Sequence, residues 1–260
     1  MTKTIRFRHE GGIFYGLVDG GLVQPLRGDC PERFTPAGTP LALDGLELLP
    51  PCTPSKIIGT GLNYRDVALR PDESLPDKPK LFLKPPTALI LSGQDVVQPP
   101  MVKELSCEVE LGIVIGRQGK CIRQEDALDY VWGYLVANDM TASDLQREDT
   151  LWGRAKSFDT FLPVSCEIVS GVDPGTLTLR SAINGQPAQR GNTRDMICGA
   201  AWLISYISHV MTLAPGDLII TGTPSGYGKR VRAGDHMVME IDGIGRLENR
   251  VVPFEGEYFF

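Results

Sequence analysis

Short β-branched and aromatic runs, separated by turn residues and interrupted by little helical periodicity, hold this chain to a strand-dominated fold. The segment from 108 to 116 (EVELGIVIG) starts with alternation and becomes a nearly continuous apolar run. The segments from 130 to 139 (YVWGYLVAND) and from 217 to 223 (DLIITGT) are rich in residues that fit a pleated sheet. MVMEIDGIGRLENRVV reads as a hairpin turning at Asp242-Gly243, a dipeptide favoured where φ must be positive. The best helical spacing covers 193–211, where Met196, Ala200, Ile204, Ile207 and Met211 recur at intervals of three or four. A second, shorter helix is expected over 124–130. The expected class is therefore mixed α+β with strands dominating.

The first 50 residues read as short strands, with IRFRH and GIFYGLV parted by Glu10, Gly11 and Gly12 and with LVQPL after a further DGG. The passage Leu49-Pro50-Pro51-Cys52-Thr53-Pro54 cannot continue a helix and favours extended chain. It divides a small β-rich unit over 1–52 from a main domain over 53–260.

Charge and composition exclude several function classes. The formal net charge of −6 offers no broad basic footprint for nucleic acid. No run approaches the roughly 20 apolar residues that cross a bilayer, and the beginning, MTKTIRFRHEGG, lacks the apolar core of a secretory signal. Neither a nucleic acid nor a membrane is expected as a partner. The cysteines, at 30, 52, 107, 121, 166 and 198, form no C-x-x-C pair, which argues against a disulfide framework and a zinc site. Reduced thiols in a cytoplasmic protein are the expectation.

Glu108 and Glu110 stand two apart in an expected strand, so their carboxylates share a face. An isolated pair of this kind is most often a solvent-facing strand edge. Two features count against that here. The continuation LGIVIG is too apolar for an exposed strand, and a third acid, Asp139, ends another apolar strand at Ala137-Asn138-Asp139. Three carboxylates with no nearby Cys or His ligand suit a hard, oxygen-preferring ion: Mg²⁺, Mn²⁺ or Ca²⁺.

The wider sequence resembles the fumarylacetoacetate hydrolase family. The landmarks run in order from Lys56 to about Val252: Gly61-Leu62-Asn63-Tyr64, Phe82-Leu83-Lys84-Pro85, Glu108-Val109-Glu110, Val136-Ala137-Asn138-Asp139, Ala155-Lys156-Ser157-Phe158-Asp159, Asn184-Gly185 and Thr221-Gly222-Thr223-Pro224. The resemblance implies a β-sheet roll, a homodimer, and a divalent ion held by Glu108, Glu110 and Asp139. It implies a catalytic Lys156, with Gln146 and Thr223 on substrate oxygens. The implied substrate is a small 2-oxo acid or dicarboxylate, chelated so that an enolate is stabilised.

One departure from the family pattern bears on the reaction. Hydrolytic members, and several decarboxylating ones, carry a His after N-Y-x-D and a Glu three residues later, which activate water. Here the segment is Asn63-Tyr64-Arg65-Asp66-Val67-Ala68-Leu69-Arg70, so Val67 and Arg70 take those places, and Pro71 discourages extension of a lid helix. Arg65 and Arg70 are candidates for a second substrate carboxylate. His9, His209 and His236 read as structural. Isomerisation, tautomerisation or decarboxylation is therefore expected ahead of acylpyruvate-type C–C hydrolysis. A non-catalytic protein that binds a metal or an oxo acid is the reading from another class.

Overall fold

The computed structural model describes residues 1–66, 77–224 and 228–257. The apolar and alternating runs become the strands β1 (Thr2–His9), β2 (Gly12–Asp19), β3 (Leu22–Arg27), β4 (Ile57–Gly61), β5 (Lys80–Lys84), β6 (Val96–Gln98), β7 (Leu105–Cys107), β8 (Val109–Ile115) and β9 (Val131–Asn138). Two short helices follow, α1 (Ser143–Glu148) and α2 (Gly153–Lys156), and then β10 (Glu167–Ser170), β11 (Thr178–Ile183) and β12 (Gln186–Asn192). The longest helix, α3 (Ala200–Val210), precedes β13 (Leu218–Ile220), β14 (His236–Ile241) and β15 (Gly245–Pro253).

One long sheet runs in the order β3-β2-β1-β10-β9-β8-β13-β4-β5, and a five-stranded sheet runs β6-β15-β14-β11-β12. The two sheets share a core. Leu111, Ile113 and Val136 of the first pack in one apolar cluster with Met237, Met239 and Leu247 of the second, and α3 adds Leu203, Ile204 and Ile207. The other face of β8 and β9 is also covered, since Val114 and Leu135 cluster with Leu162 and Leu218. Covering on both faces explains why β8 is buried at every residue and reads as a continuous apolar run. The architecture is the expected strand-dominated roll. Among the described residues, no helix is long and apolar enough to cross a membrane.

The N-terminal strands have a small apolar cluster of their own, centred on Ile5, Phe7 and Val23. They nevertheless join the main sheet, because β1 pairs antiparallel with β10 from Thr2↔Ser170 to Ile5↔Glu167. The hairpin expected at Asp242-Gly243 is present, with His236↔Arg250 through Ile241↔Gly245 in register.

The helix expected over 193–211 is shorter than its spacing suggests. Only a single 3₁₀ turn forms at Thr193–Asp195, and α3 begins at Ala200. The intervening backbone is taken by a distant residue. Ile197 N–H donates to the Asn63 carbonyl at 2.7 Å, Cys198 N–H donates to Asn63 Oδ1 at 2.9 Å, and Met196 bridges to Tyr64. Those donors cannot also serve a helix. The second expected helix, Gln124–Tyr130, is 3₁₀ rather than α. Glu108, expected within a strand, stands at the break between β7 and β8. Its N–H donates to Asn138 Oδ1 at 2.9 Å, so a side chain replaces the ladder partner there.

A candidate metal and substrate site

The register of β8 on β9 builds the floor of the site. Val109 pairs with Asn138 and Glu110 with Ala137, so the start of β8 lies beside the end of β9. Glu108, Glu110 and Asp139 thereby converge, each offering a carboxylate oxygen within 4.8 Å of the others. Glu110 and Asp139 are buried. Two backbone amides grip the glutamates: Gly222 N–H donates to Glu110 Oε2 at 2.7 Å, and Gly228 N–H to Glu108 Oε1 at 3.2 Å. Gly222 has φ +89°, and a Cβ there would sit 3.1 Å from the Thr60 carbonyl and from Asn63. Only glycine turns this amide toward Glu110 without strain.

Two buried lysines face the acids. Lys156, at the end of α2, donates to Glu108 Oε2 at 2.9 Å, to Thr141 Oγ1 at 2.7 Å and to Asp139 Oδ2. Lys84, at the end of β5, donates to Asp139 Oδ1 at 2.7 Å and to the Met140 carbonyl at 3.2 Å. Burial opposes the charge on Lys156, but Asp139, Glu108 and Glu110 outweigh it and hold its pKa above the ordinary lysine value. Burial likewise opposes ionisation of Asp139, and the two lysines reverse that effect, so its pKa is lowered. Glu110 is different. Burial, then repulsion by Asp139 and Glu108, pushes its carboxyl well above the usual carboxylate range.

This donor set fits a hard divalent cation. Repulsion between two carboxylates at this separation is worth about 3–4 kcal/mol at an effective dielectric near 20. Glu110 lies between two such neighbours, and a cation ligated by all three relieves that repulsion directly. Three carboxylates, two ammonium groups and a dication sum to +1 (−3 + 2 + 2), a charge that attracts a carboxylate substrate.

A cleft of about 100 Å³ opens onto this floor. Its lining includes Glu108, Glu110, Asp139, Lys156, Gln146 and Thr223, so the structure brings together six of the eight candidate site residues named from the sequence. Gln146 reaches the cleft from α1. Arg65 is exposed and outside the cleft lining, while Arg70, like Val67, lies outside the described residues. None of the three histidines lines the cleft.

Thr223 is held more tightly than its place after a turn suggests. Its hydroxyl donates to the Val109 carbonyl at 2.9 Å and accepts from Gln189 Nε2 at 2.9 Å. A threonine hydroxyl has one proton and two lone pairs, so among the described residues one lone pair remains. In this arrangement Thr223 can accept from a substrate hydroxyl but cannot donate to a carboxylate. Gln189 escaped the sequence reading altogether. Buried in β12, it also accepts from Val109 N–H at 3.2 Å and Ser181 Oγ at 3.1 Å, and donates to the Pro224 carbonyl at 3.1 Å. It ties the Glu108–Glu110 segment to the Thr221–Pro224 segment.

The aromatic wall of the cleft was also missed. Phe82 and Trp152 meet edge to face at 5.8 Å between centroids. They fit because the facing strand has no side chains there: a Cβ on Gly59 would meet Phe82 at 2.0 Å, and one on Gly61 would meet Trp152 at 2.2 Å. Lys156 Nζ stands 4.8 Å from the Phe82 centroid, a cation–π distance.

Comparison with known proteins agrees with this geometry. The pattern of the Fumarylacetoacetate (FAA) hydrolase C-terminal family matches residues 56–252, and that of the Rv2993c-like, N-terminal family matches residues 2–51. The chain is 41% identical over 203 residues to the 4-hydroxyphenylacetate degradation bifunctional isomerase/decarboxylase of Escherichia coli, covering 76% of this chain and 47% of that protein. The 2-hydroxyhepta-2,4-diene-1,7-dioate isomerase of Mycobacterium marinum is 35% identical in sequence, with a TM-score of 0.89 over 98% of this chain and 100% of that one. A fumarylacetoacetate hydrolase of Exiguobacterium antarcticum is 28% identical, with a TM-score of 0.80 over 98% and 100% of the two chains. On the family match, the shared fold and the ordered motifs, the chain belongs to the fumarylacetoacetate hydrolase C-terminal family.

Proposed function

We propose that this chain is a divalent-metal-dependent isomerase, tautomerase or decarboxylase of small unsaturated 2-oxo or 2-hydroxy dicarboxylates. The observation that carries the reading is the placement of three carboxylates and two buried lysines beneath a cleft walled by Phe82 and Trp152. Glu108, Glu110 and Asp139 would hold the ion. Their all-oxygen donor set favours Mg²⁺, with Mn²⁺ and Ca²⁺ as the other hard choices. When bound, the ion polarises a carbonyl and takes up negative charge that builds on its oxygen.

The remaining residues divide the other tasks. Lys156, whose raised pKa keeps it protonated, suits a stable positive charge beside the substrate carboxylate and the 2-oxygen better than a proton acceptor. Thr223 has a lone pair for an enol hydroxyl, and Gln146, also in the cleft lining, offers amide hydrogen bonds. Phe82 and Trp152 give a planar conjugated stem an apolar surface and keep water from the head of the cleft. The names of the Escherichia coli and Mycobacterium marinum relatives point the same way.

Isomerisation, tautomerisation and decarboxylation all need charge to be spread from carbon onto a carbonyl oxygen. Hydrolysis of a carbon–carbon bond also needs water to be deprotonated. Among the described residues the cleft lining contains no histidine and no carboxylate besides the three assigned to the ion, and the sequence has Val67 and Arg70 where hydrolytic members have His and Glu. A general base is typically worth about 10² to 10⁴ in rate, so cleavage of acylpyruvates is expected to be slower than isomerisation or decarboxylation by a comparable factor. The assay supplies Mg²⁺ and follows carbon dioxide, double-bond migration and cleavage products separately. V67H together with R70E is expected to raise cleavage. Wild-type cleavage of an acylpyruvate near the ordinary enzyme turnover of about 10 s⁻¹ replaces this reading with a hydrolase.

A further inference from the structure

One face of β5 leads from the floor of the cleft toward its mouth. Alternate residues of a strand share a face, and here they are Lys84, Phe82 and Lys80. Lys84 bonds Asp139, Phe82 stands in the wall, and Lys80 Nζ lies 5.2 Å from the centroid of Trp152, itself part of the cleft lining. The pairing with β4 sets Gly59 opposite Phe82 and Gly61 opposite Lys80, so no side chain of β4 intrudes on this path. Two-residue steps of about 6.6–6.8 Å put the two lysine backbones about 13 Å apart. A single small carboxylate cannot touch both cations. Lys84 is buried, Lys80 is exposed, and among the described residues Lys80 forms no ion pair. Contact with the Trp152 ring holds its ammonium at the mouth.

The geometry points to Lys80 as the receiver of the far carboxylate of an elongated diacid. The unsaturated stem lies along Trp152 and Phe82, and the 2-oxo acid head reaches the cluster of Glu108, Glu110, Asp139 and Lys156. This deepens the reading above and rests on it, because the head must be a 2-oxo acid. It names the substrate class more narrowly, as diacids long enough to reach from floor to mouth. It also moves the second-carboxylate role from Arg65 to Lys80: neither side chain lines the cleft, but Lys80 lies against Trp152, which does.

Calorimetry on the full-length, Mg²⁺-loaded protein tests it with two probes of equal chain length, 2-oxoadipate and 2-oxohexanoate. The wild type is expected to bind the diacid about threefold to fivefold more tightly, as suits a partly exposed ion pair, and the gap should narrow as salt is raised. K80M is expected to bring the diacid level with the monoacid, and K80R to restore the preference. Equal binding of both acids by the wild type overturns the proposal and leaves the 2-oxo acid reading standing. A preference that survives in K80M but is lost in R65A also overturns it, in favour of Arg65. Failure of both acids to bind overturns the 2-oxo acid reading and this inference with it.

Discussion

Replacing Glu110 by alanine is expected to lower Mg²⁺ affinity at least about 100-fold and turnover with it, while the fold survives. Loss of a residue that merely supports a ligand commonly costs 10- to 100-fold in metal affinity, and Glu110 is proposed to supply a ligand oxygen itself. The effect on folding should be small for a physical reason. The carboxyl is buried between Asp139 and Glu108, and its raised pKa shows that the folded protein disfavours its charge. Removing it relieves a repulsion and opens a small polar space against Gly222, without stranding a lysine. Titration of Mg²⁺ into wild type and E110A, with a melting curve for each in EDTA, separates the two effects. An unchanged affinity in E110A removes the three carboxylates as the ion site. A melting temperature that collapses in EDTA makes Glu110 a structural residue instead.

Lys156→Met is expected to act oppositely on the fold. The methionine nearly conserves volume but leaves Glu108 and Asp139 with one cation fewer in a buried place. Breaking a buried ion pair by removing one partner typically costs 3–5 kcal/mol, and each kcal/mol lowers the melting temperature by about 2–4 °C in a chain of this size. K156M in EDTA should therefore melt roughly 6–20 °C below wild type. Mg²⁺ supplies positive charge to the same carboxylates, so it should recover most of that loss. Turnover should not recover. The positive charge beside the substrate head is gone, and a deleted electrostatic group of this kind costs about 10² to 10³ in turnover. Recovery of both stability and turnover on adding Mg²⁺ would make Lys156 a structural counter-ion with no part in the reaction.

The residues legible in the sequence were those whose chemistry is local. Glu108, Glu110 and Asp139 announced themselves because acids adjoining long apolar runs are out of place on an exposed strand, and the hairpin at Asp242-Gly243 because its turn chemistry is complete in two residues. Lys84 was not legible as a site residue. A lysine at the end of a strand reads as an edge or a solvent contact, and its burial depends on Asp139, 55 positions away. The alternation Lys80-Leu81-Phe82-Leu83-Lys84 did carry a signal, since it sets both cations and the aromatic ring on one face. Gln189 gave none, flanked as it is by Ala188 and Arg190 in a polar strand. Its four partners on Val109, Ser181, Thr223 and Pro224 exist only after β8, β11 and β12 have come together. The start of α3 was misplaced for the same reason, because Asn63 takes the backbone donors that the periodicity assigned to a helix.

Every reaction proposed for this cleft begins with negative charge leaving carbon for the 2-oxygen of the substrate. Exchange of the C3 protons of 2-oxoadipate with deuterium oxide, followed by proton NMR in the presence of wild-type protein, reads that step for isomerisation and tautomerisation, where the charge comes from a C3–H bond; release of carbon dioxide from a 3-carboxylated 2-oxo acid reads it for decarboxylation. Exchange well above the protein-free rate with Mg²⁺, suppressed in EDTA and in E110A, is the predicted result. Exchange that stays at the protein-free level together with no release of carbon dioxide, both with Mg²⁺ present, or either signal undiminished in EDTA, contradicts the account.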